Sequence, residues 1–197
     1  MKAAGPEVGV DLVECYRRAA AEFGARVEAV GAHQWHAPTP CTEWDVRALV
    51  NHVVADDLWV APLLAGKTLE EVGDAFDGDV LGDDPVGVWR GATSGAIAAV
   101  SEPGVLDRTV HVSWGVITAV EYLSQLFADH LIHAWDLARA VNADEGLDPE
   151  LVDACSTLWQ PREEELKGSD MFGERLDPPP GADRQTTLLA VFGRRAS

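Results

Sequence analysis

The sequence predicts an all-α protein: a four-helix bundle with irregular connections and extra short helices. Three observations carry this expectation. Apolar residues recur at three- and four-residue steps over long stretches, helix start signals precede those stretches, and the few strand-like runs do not amount to a sheet. A chain of 197 residues fits one domain with a sizeable core. Its 47% apolar residues and seven Trp argue against disorder.

The first helix is expected from about Val8 to Val30, on the stripe Leu12, Tyr16, Ala19, Phe23, Val27 and Val30. GAHQWHAPTPCTEW reads as a loop, broken by Pro38 and Pro40. Thr42 with Asp45 three residues on is a capping-box-like start, opening a second helix that runs to about Leu64. TLEEVG reads as a short helical turn and FDGDVLGDDP as an acidic, glycine-rich surface loop. Asp84 followed by Pro85 supplies the N-cap and first residue of a third helix, which ends near Glu102 before Pro103 and Gly104. VLDRTVHVSWG is short and β-branched and reads as extended. Thr118 with Glu121 opens a fourth long helix to about Asn142. Asp148-Pro149-Glu150 opens a fifth, toward Leu166. From about residue 167 the chain reads as a tail whose TTLLAVFGRR can dock back as a short element. No repeat or boundary divides residues 1–197, which are expected to form a single domain.

Asp and Glu number 33 against 15 Lys and Arg, a formal charge of −18. Such a surface repels nucleic acid and anionic membranes, and neither is expected as a partner. No apolar run approaches the roughly 20 residues of a membrane span. Cys15, Cys41 and Cys155 form no CxxC pair, which suits a reducing cytoplasm, and the N-terminus lacks a signal-peptide pattern. The expected location is cytoplasmic. Without a glycine-rich phosphate loop, nucleotide binding is not expected.

Chemistry concentrates in ADHLIHAWDLARA, residues 128–140. With His133 as the reference direction on a helix, Asp129 falls about 40° to one side, and Leu126 and Leu137 lie about 20° and 40° to the other. Carboxylate and imidazole at i, i+4 can hold one metal between them. A third ligand must come from elsewhere, and His52, midway along the second helix, is the best donor. Two nitrogens and one oxygen leave positions for water or substrate, as catalytic sites do. Each residue also has a plainer reading as a hydrogen-bonded core residue, and His130 can replace His133 as ligand. Asp129 is the hardest to read that way, because a buried carboxylate needs a cation and no Arg or Lys lies one turn from it. Asp56, one turn after His52, and Asp136 are placed to orient the imidazoles, and Trp59 with the loop residues around Trp35 and Trp114 to wall a pocket. Cys41 stands before a helix start that can lower its pKa, or is simply a small residue packed in a turn. Trp135 points almost opposite to His133, toward a second helix layer or a homodimer contact.

TPCTEWDVRALVNHVV followed by ADHLIHAWDLARAV resembles the DinB/YfiT-like metal-binding superfamily, in the actinobacterial branch related to the N-terminal domain of mycothiol-dependent maleylpyruvate isomerase. DRQTTLLAVFGRR is similar to the closing motif of that branch. The resemblance implies a four-helix bundle holding a divalent metal, zinc or nickel, through His52, Asp129 and His133. Asp129 stands where the isomerase has Glu, and the isomerase's additional C-terminal domain has no counterpart in these residues. Relatives use the metal to activate a low-molecular-weight thiol such as mycothiol. The resemblance therefore implies a thiol-dependent transferase or isomerase acting on a small electrophile. The alternative is a non-catalytic, metal-containing bundle that binds a small molecule or a protein partner.

Overall fold

In the computed structural model, residues 10–159, 162 and 175–196 are described. Side chains fix where the helices begin. Helix α1 spans Leu12–Ala29; residues 8 and 9 of its expected start lie outside the described residues. Helix α2 spans Val46–Leu64 and is capped by Asp45, which accepts the Ala48 N–H at 2.8 Å. The cap is thus Asp45 itself and not Thr42, which lies exposed in the preceding turn. A carboxylate makes the stronger, charge-assisted cap at a positive helix end. The short helix α3, Leu69–Val72, carries a reciprocal capping box between Thr68 and Glu71.

Helix α4 spans Pro85–Val100, with Asp84 as cap and proline in its first turn. A 3-10 turn, Val105–Asp107, leads into strands β1, Thr109–Val112, and β2, Gly115–Thr118. Here the expectation that no sheet forms is corrected. The two strands pair antiparallel, from Thr109 opposite Thr118 to Val112 opposite Gly115. Only Ser113 and Trp114 separate them, so β-branched residues on both sides close a local hairpin at little entropic cost. Helix α5, Ala119–Val141, starts at Thr118, whose hydroxyl accepts the Glu121 N–H. It ends at Asn142 in the left-handed conformation, φ 58°, which Asn tolerates better than most residues.

The chain divides into two compact units. In the first, Leu12–Glu145, α1 packs on α5, α5 on α2, α2 on α4 and α4 on α1, closing the expected four-helix ring. Tyr16, Phe23, Leu49, Val53, Phe127 and Leu131 fill its centre. Gly24 permits the close approach of α1 and α4: a Cβ there would stand 2.7 Å from the Trp89 indole nitrogen. Arg47 and Asn51 of α2 pin the acidic loop by bonding Asp79, the Gly82 and Gly78 carbonyls and the Val80 N–H, and Leu81 is buried beneath it.

The second unit comprises the flanking segments. It contains α6, Pro149–Trp159, and α7, Arg184–Val191, which pack together with Trp159 edge-on to Phe192. The continuation of α6 toward Leu166 falls largely outside the described residues. TTLLAVFGRR does dock as a helix, burying Leu188, Leu189 and Phe192. Among the described residues, no helix is long and apolar enough to cross a membrane.

Candidate metal centre

Two faces of α2 carry two different kinds of polar residue. Its apolar stripe, Val46, Leu49, Val50, Val53, Val54, Val60 and Leu64, is buried, and Asp57 belongs to that stripe. His52 and Asp56 lie beside it, with 31% and 37% of their side chains exposed. Helix α5 is buried along most of its length, including His130, His133 and Asp136.

Packing of α2 on α5 brings His52, Asp129 and His133 together. His52 Nε2 lies 3.4 Å and His133 Nε2 3.3 Å from the same oxygen, Asp129 Oδ1. One ligand-competent atom from each residue falls within 4.8 Å of the others. The second oxygen, Asp129 Oδ2, is buried without a hydrogen-bond partner among the described residues. Burial opposes charge on all three. The imidazoles nevertheless hold Asp129 well below the usual carboxylate range, and Asp129 holds His133 well above, and His52 above, the usual imidazole range.

The back of His133 is fixed as well. Its Nδ1 lies 2.9 Å from Asp136 Oδ2, and Asp136 is fully buried. Donation from Nδ1 leaves the Nε2 lone pair turned toward Asp129 in the neutral ring. The Cys41 thiol, from the loop before α2, donates to the same Asp136 oxygen at 3.4 Å. Asp56 differs from the expected orienting role, for its Oδ2 sits 3.5 Å from His52 Nε2, on the side facing Asp129 and not behind the ring. Burial pushes the Asp56 carboxyl up to about 6.

The aromatic wall is Trp44. Its ring centroid is 4.6 Å from that of His52 and 5.8 Å from that of His133. It lies eight residues before His52, within TPCTEWDVRALVNHVV, and that place was the available signal for it in the sequence. Trp59 packs edge-on to Phe76, and Trp114 lies at the hairpin turn, 57% exposed. Trp135 is buried, with the Arg139 guanidinium 5.0 Å from its ring centre.

His130 joins a separate, fully buried cluster. Its Nδ1 donates to the Leu126 carbonyl at 2.8 Å, and its Nε2 lies 3.3 Å from Asp57 Oδ1, outside good hydrogen-bond geometry. Asp57 also accepts from Tyr16 Oη and Thr93 Oγ1, each at 2.5 Å. Burial opposes a charged His130, but Asp57 outweighs it and raises the imidazole above its usual range. Burial and Asp57 together keep Tyr16 protonated as a donor. Sequence reasoning missed Asp57, Tyr16 and Thr93; the signal for Asp57 was its place on the valine stripe.

Fold and site together define a DinB-like helical bundle carrying an inward carboxylate between two imidazoles. Residues 16–138 match the mycothiol maleylpyruvate isomerase N-terminal domain, and the chain belongs to that family. An uncharacterized protein of Mycobacterium tuberculosis, present in two strains, is 30% identical over 142 residues, covering 72% of this chain and 74% of its own length. No solved structure gives a significant match.

Proposed function

We propose that this chain binds a divalent metal, zinc or nickel, through His52, Asp129 and His133. In this reading it uses the metal with a mycothiol-type thiol, as a transferase or isomerase acting on a small electrophile. The observation that carries the reading is the convergence of three ligand atoms within 4.8 Å on a carboxylate whose other oxygen, Asp129 Oδ2, is buried without a partner among the described residues. Separations of 3.3 and 3.4 Å are long for charge-assisted hydrogen bonds. They suit ligand edges in a tetrahedral site, which run roughly 3.3–3.4 Å for bonds of about 2.0–2.1 Å. The donor set of two nitrogens and one carboxylate suits a catalytic ion with an open position.

The bound cation supplies one thing, preference for thiolate over thiol near neutral pH. The chain's own residues do the rest. Asp136 holds the Nδ1 proton of His133 and thereby aims Nε2. Trp44 covers one side of the imidazoles and limits water there. Asp56, part-exposed beside the cluster, is an acceptor for the proton that a thiol gives up. The family's connection to mycothiol supports the choice of thiol class.

The test is a cobalt-substituted protein titrated with mycothiol and with simpler thiols. A new sulfur-to-cobalt charge-transfer band that saturates with thiol is expected. A spectrum unmoved by every thiol would remove the thiol from the account.

A further inference from the structure

His133 has two ring nitrogens, and the site described above takes only one. Nε2 faces Asp129; Nδ1 faces the opposite way, toward Asp136 Oδ2 at 2.9 Å and Cys41 Sγ at 4.0 Å. Cys41 Sγ also lies 3.4 Å from that Asp136 oxygen. Sulfur, nitrogen and oxygen thus converge within 4.8 Å of one another on two buried residues and one half-buried residue. We propose that Cys41, His133 and Asp136 form a second cation site, selective for thiophilic ions such as cadmium, which competes with the first site for the His133 imidazole.

Three features support it. The first is ligand softness. A thiolate favours thiophilic ions, whereas the first site offers only imidazole and carboxylate. The second is spacing. With bonds of about 2.3 Å to sulfur and about 2.0 Å to nitrogen or oxygen, edges from sulfur run roughly 3.5 Å in a tetrahedral site. The observed 3.4 and 4.0 Å bracket that value, and the 2.9 Å pair needs to open by only a few tenths of an ångström. The third is position. Cys41 belongs to the loop before α2, not to a packed helix, so its thiol can close the 4.0 Å separation from His133 Nδ1.

Competition follows from the ring itself, because a neutral imidazole has one lone pair. When it is on Nε2, Nδ1–H donates to Asp136 and the first site is complete. When it is on Nδ1, Nε2–H points to Asp129 Oδ1 and the second site is complete. An ion in either place selects the tautomer that disables the other. Binding at the second site displaces the Cys41 thiol proton to solvent, and no oxidation state changes.

The experiment is cadmium titration of the full chain, followed by thiolate-to-cadmium absorption in the ultraviolet, for the unaltered protein, His52→Ala and Cys41→Ser. Absorption saturating at one ion per chain is expected in the unaltered protein. It is retained in His52→Ala and lost in Cys41→Ser, although Cys15 and Cys155 remain. Full absorption in Cys41→Ser, or its loss in His52→Ala, would overturn the proposal. Cadmium-113 NMR of the unaltered chain is a readout that needs no variant. A resonance shifted downfield by one sulfur ligand is expected, and one in the range of nitrogen and oxygen ligands alone would overturn the second site. Absence of thiol binding at the first site would leave all of these outcomes unchanged.

Discussion

Asp57 and Asp56 are neighbours in sequence with very different expected contributions to stability. Asp57 is fully buried, accepts two hydroxyl hydrogen bonds at 2.5 Å from Tyr16 and Thr93, and faces His130 at 3.3 Å. Asp57→Ala leaves two donors unsatisfied and a buried imidazole without its counter-charge. Hydrogen bonds to a charged group contribute about 1.5–3 kcal/mol each. His130 can respond by losing its proton, so the terms do not add; the measured cost of breaking a buried pair, about 3–5 kcal/mol, is the better guide. That loss corresponds to a fall in Tm of about 6–20 °C. Tyr16→Phe removes a single donor and should cost about 1–3 kcal/mol. Asp56→Ala, at a position with 37% of its side chain exposed, should stay within about 1 kcal/mol of the unaltered protein. Urea unfolding followed by circular dichroism measures all three, with an unchanged slope and a shifted midpoint identifying a true stability change. A midpoint for Asp57→Ala equal to that of Asp56→Ala would refute the reasoning.

Two further predictions concern the metal centre. In the metal-free protein burial opposes protonation of His52 and His133, but Asp129 outweighs it and holds both above the usual imidazole range. Each therefore holds a proton more tightly than a free imidazole, and a cation must compete with that proton, so metal affinity should rise with pH and fall in acid, with up to two protons released per ion. Calorimetry in buffers of different ionisation enthalpy counts those protons, and a pH-independent affinity would contradict the ligand set. Asp136→Asn keeps the shape but removes the charge 2.9 Å from His133 Nδ1. It should weaken metal binding about 10–100-fold while leaving the helix content unchanged; competition with a chelator checks this, and an unaltered affinity would separate Asp136 from the site.

Much of the fold was legible because its signals are local. Asp84-Pro85 and Thr118 mark helix starts through the backbone groups their side chains satisfy, and the α1 stripe reports its buried face directly. The hairpin was not legible as a sheet: each strand is only four residues long, and the pairing depends on register, which propensity does not encode. The clustering of His52, Asp129 and His133 was readable from i, i+4 spacing on α5 and the inward face of α2. That Asp57 and not Asp56 is the fully buried carboxylate of α2 is not marked by spacing from His52, because the two differ by a single step around the helix. The valine stripe decides between them. The Trp44 ring and the Cys41–Asp136 contact come from a loop folding back over α5, an arrangement that helical periodicity does not describe.

Metal content of the purified full chain, measured beside His52→Ala, Asp129→Ala and His133→Ala, tests the central claim most directly. Close to one divalent ion per chain is expected in the unaltered protein, with little zinc or nickel in each variant and little of any divalent ion in His133→Ala, which removes the ligand common to both sites, and with circular dichroism showing that all four are folded. Near-stoichiometric metal persisting in the three variants, or a folded protein that takes up no divalent ion when one is supplied, would contradict the account.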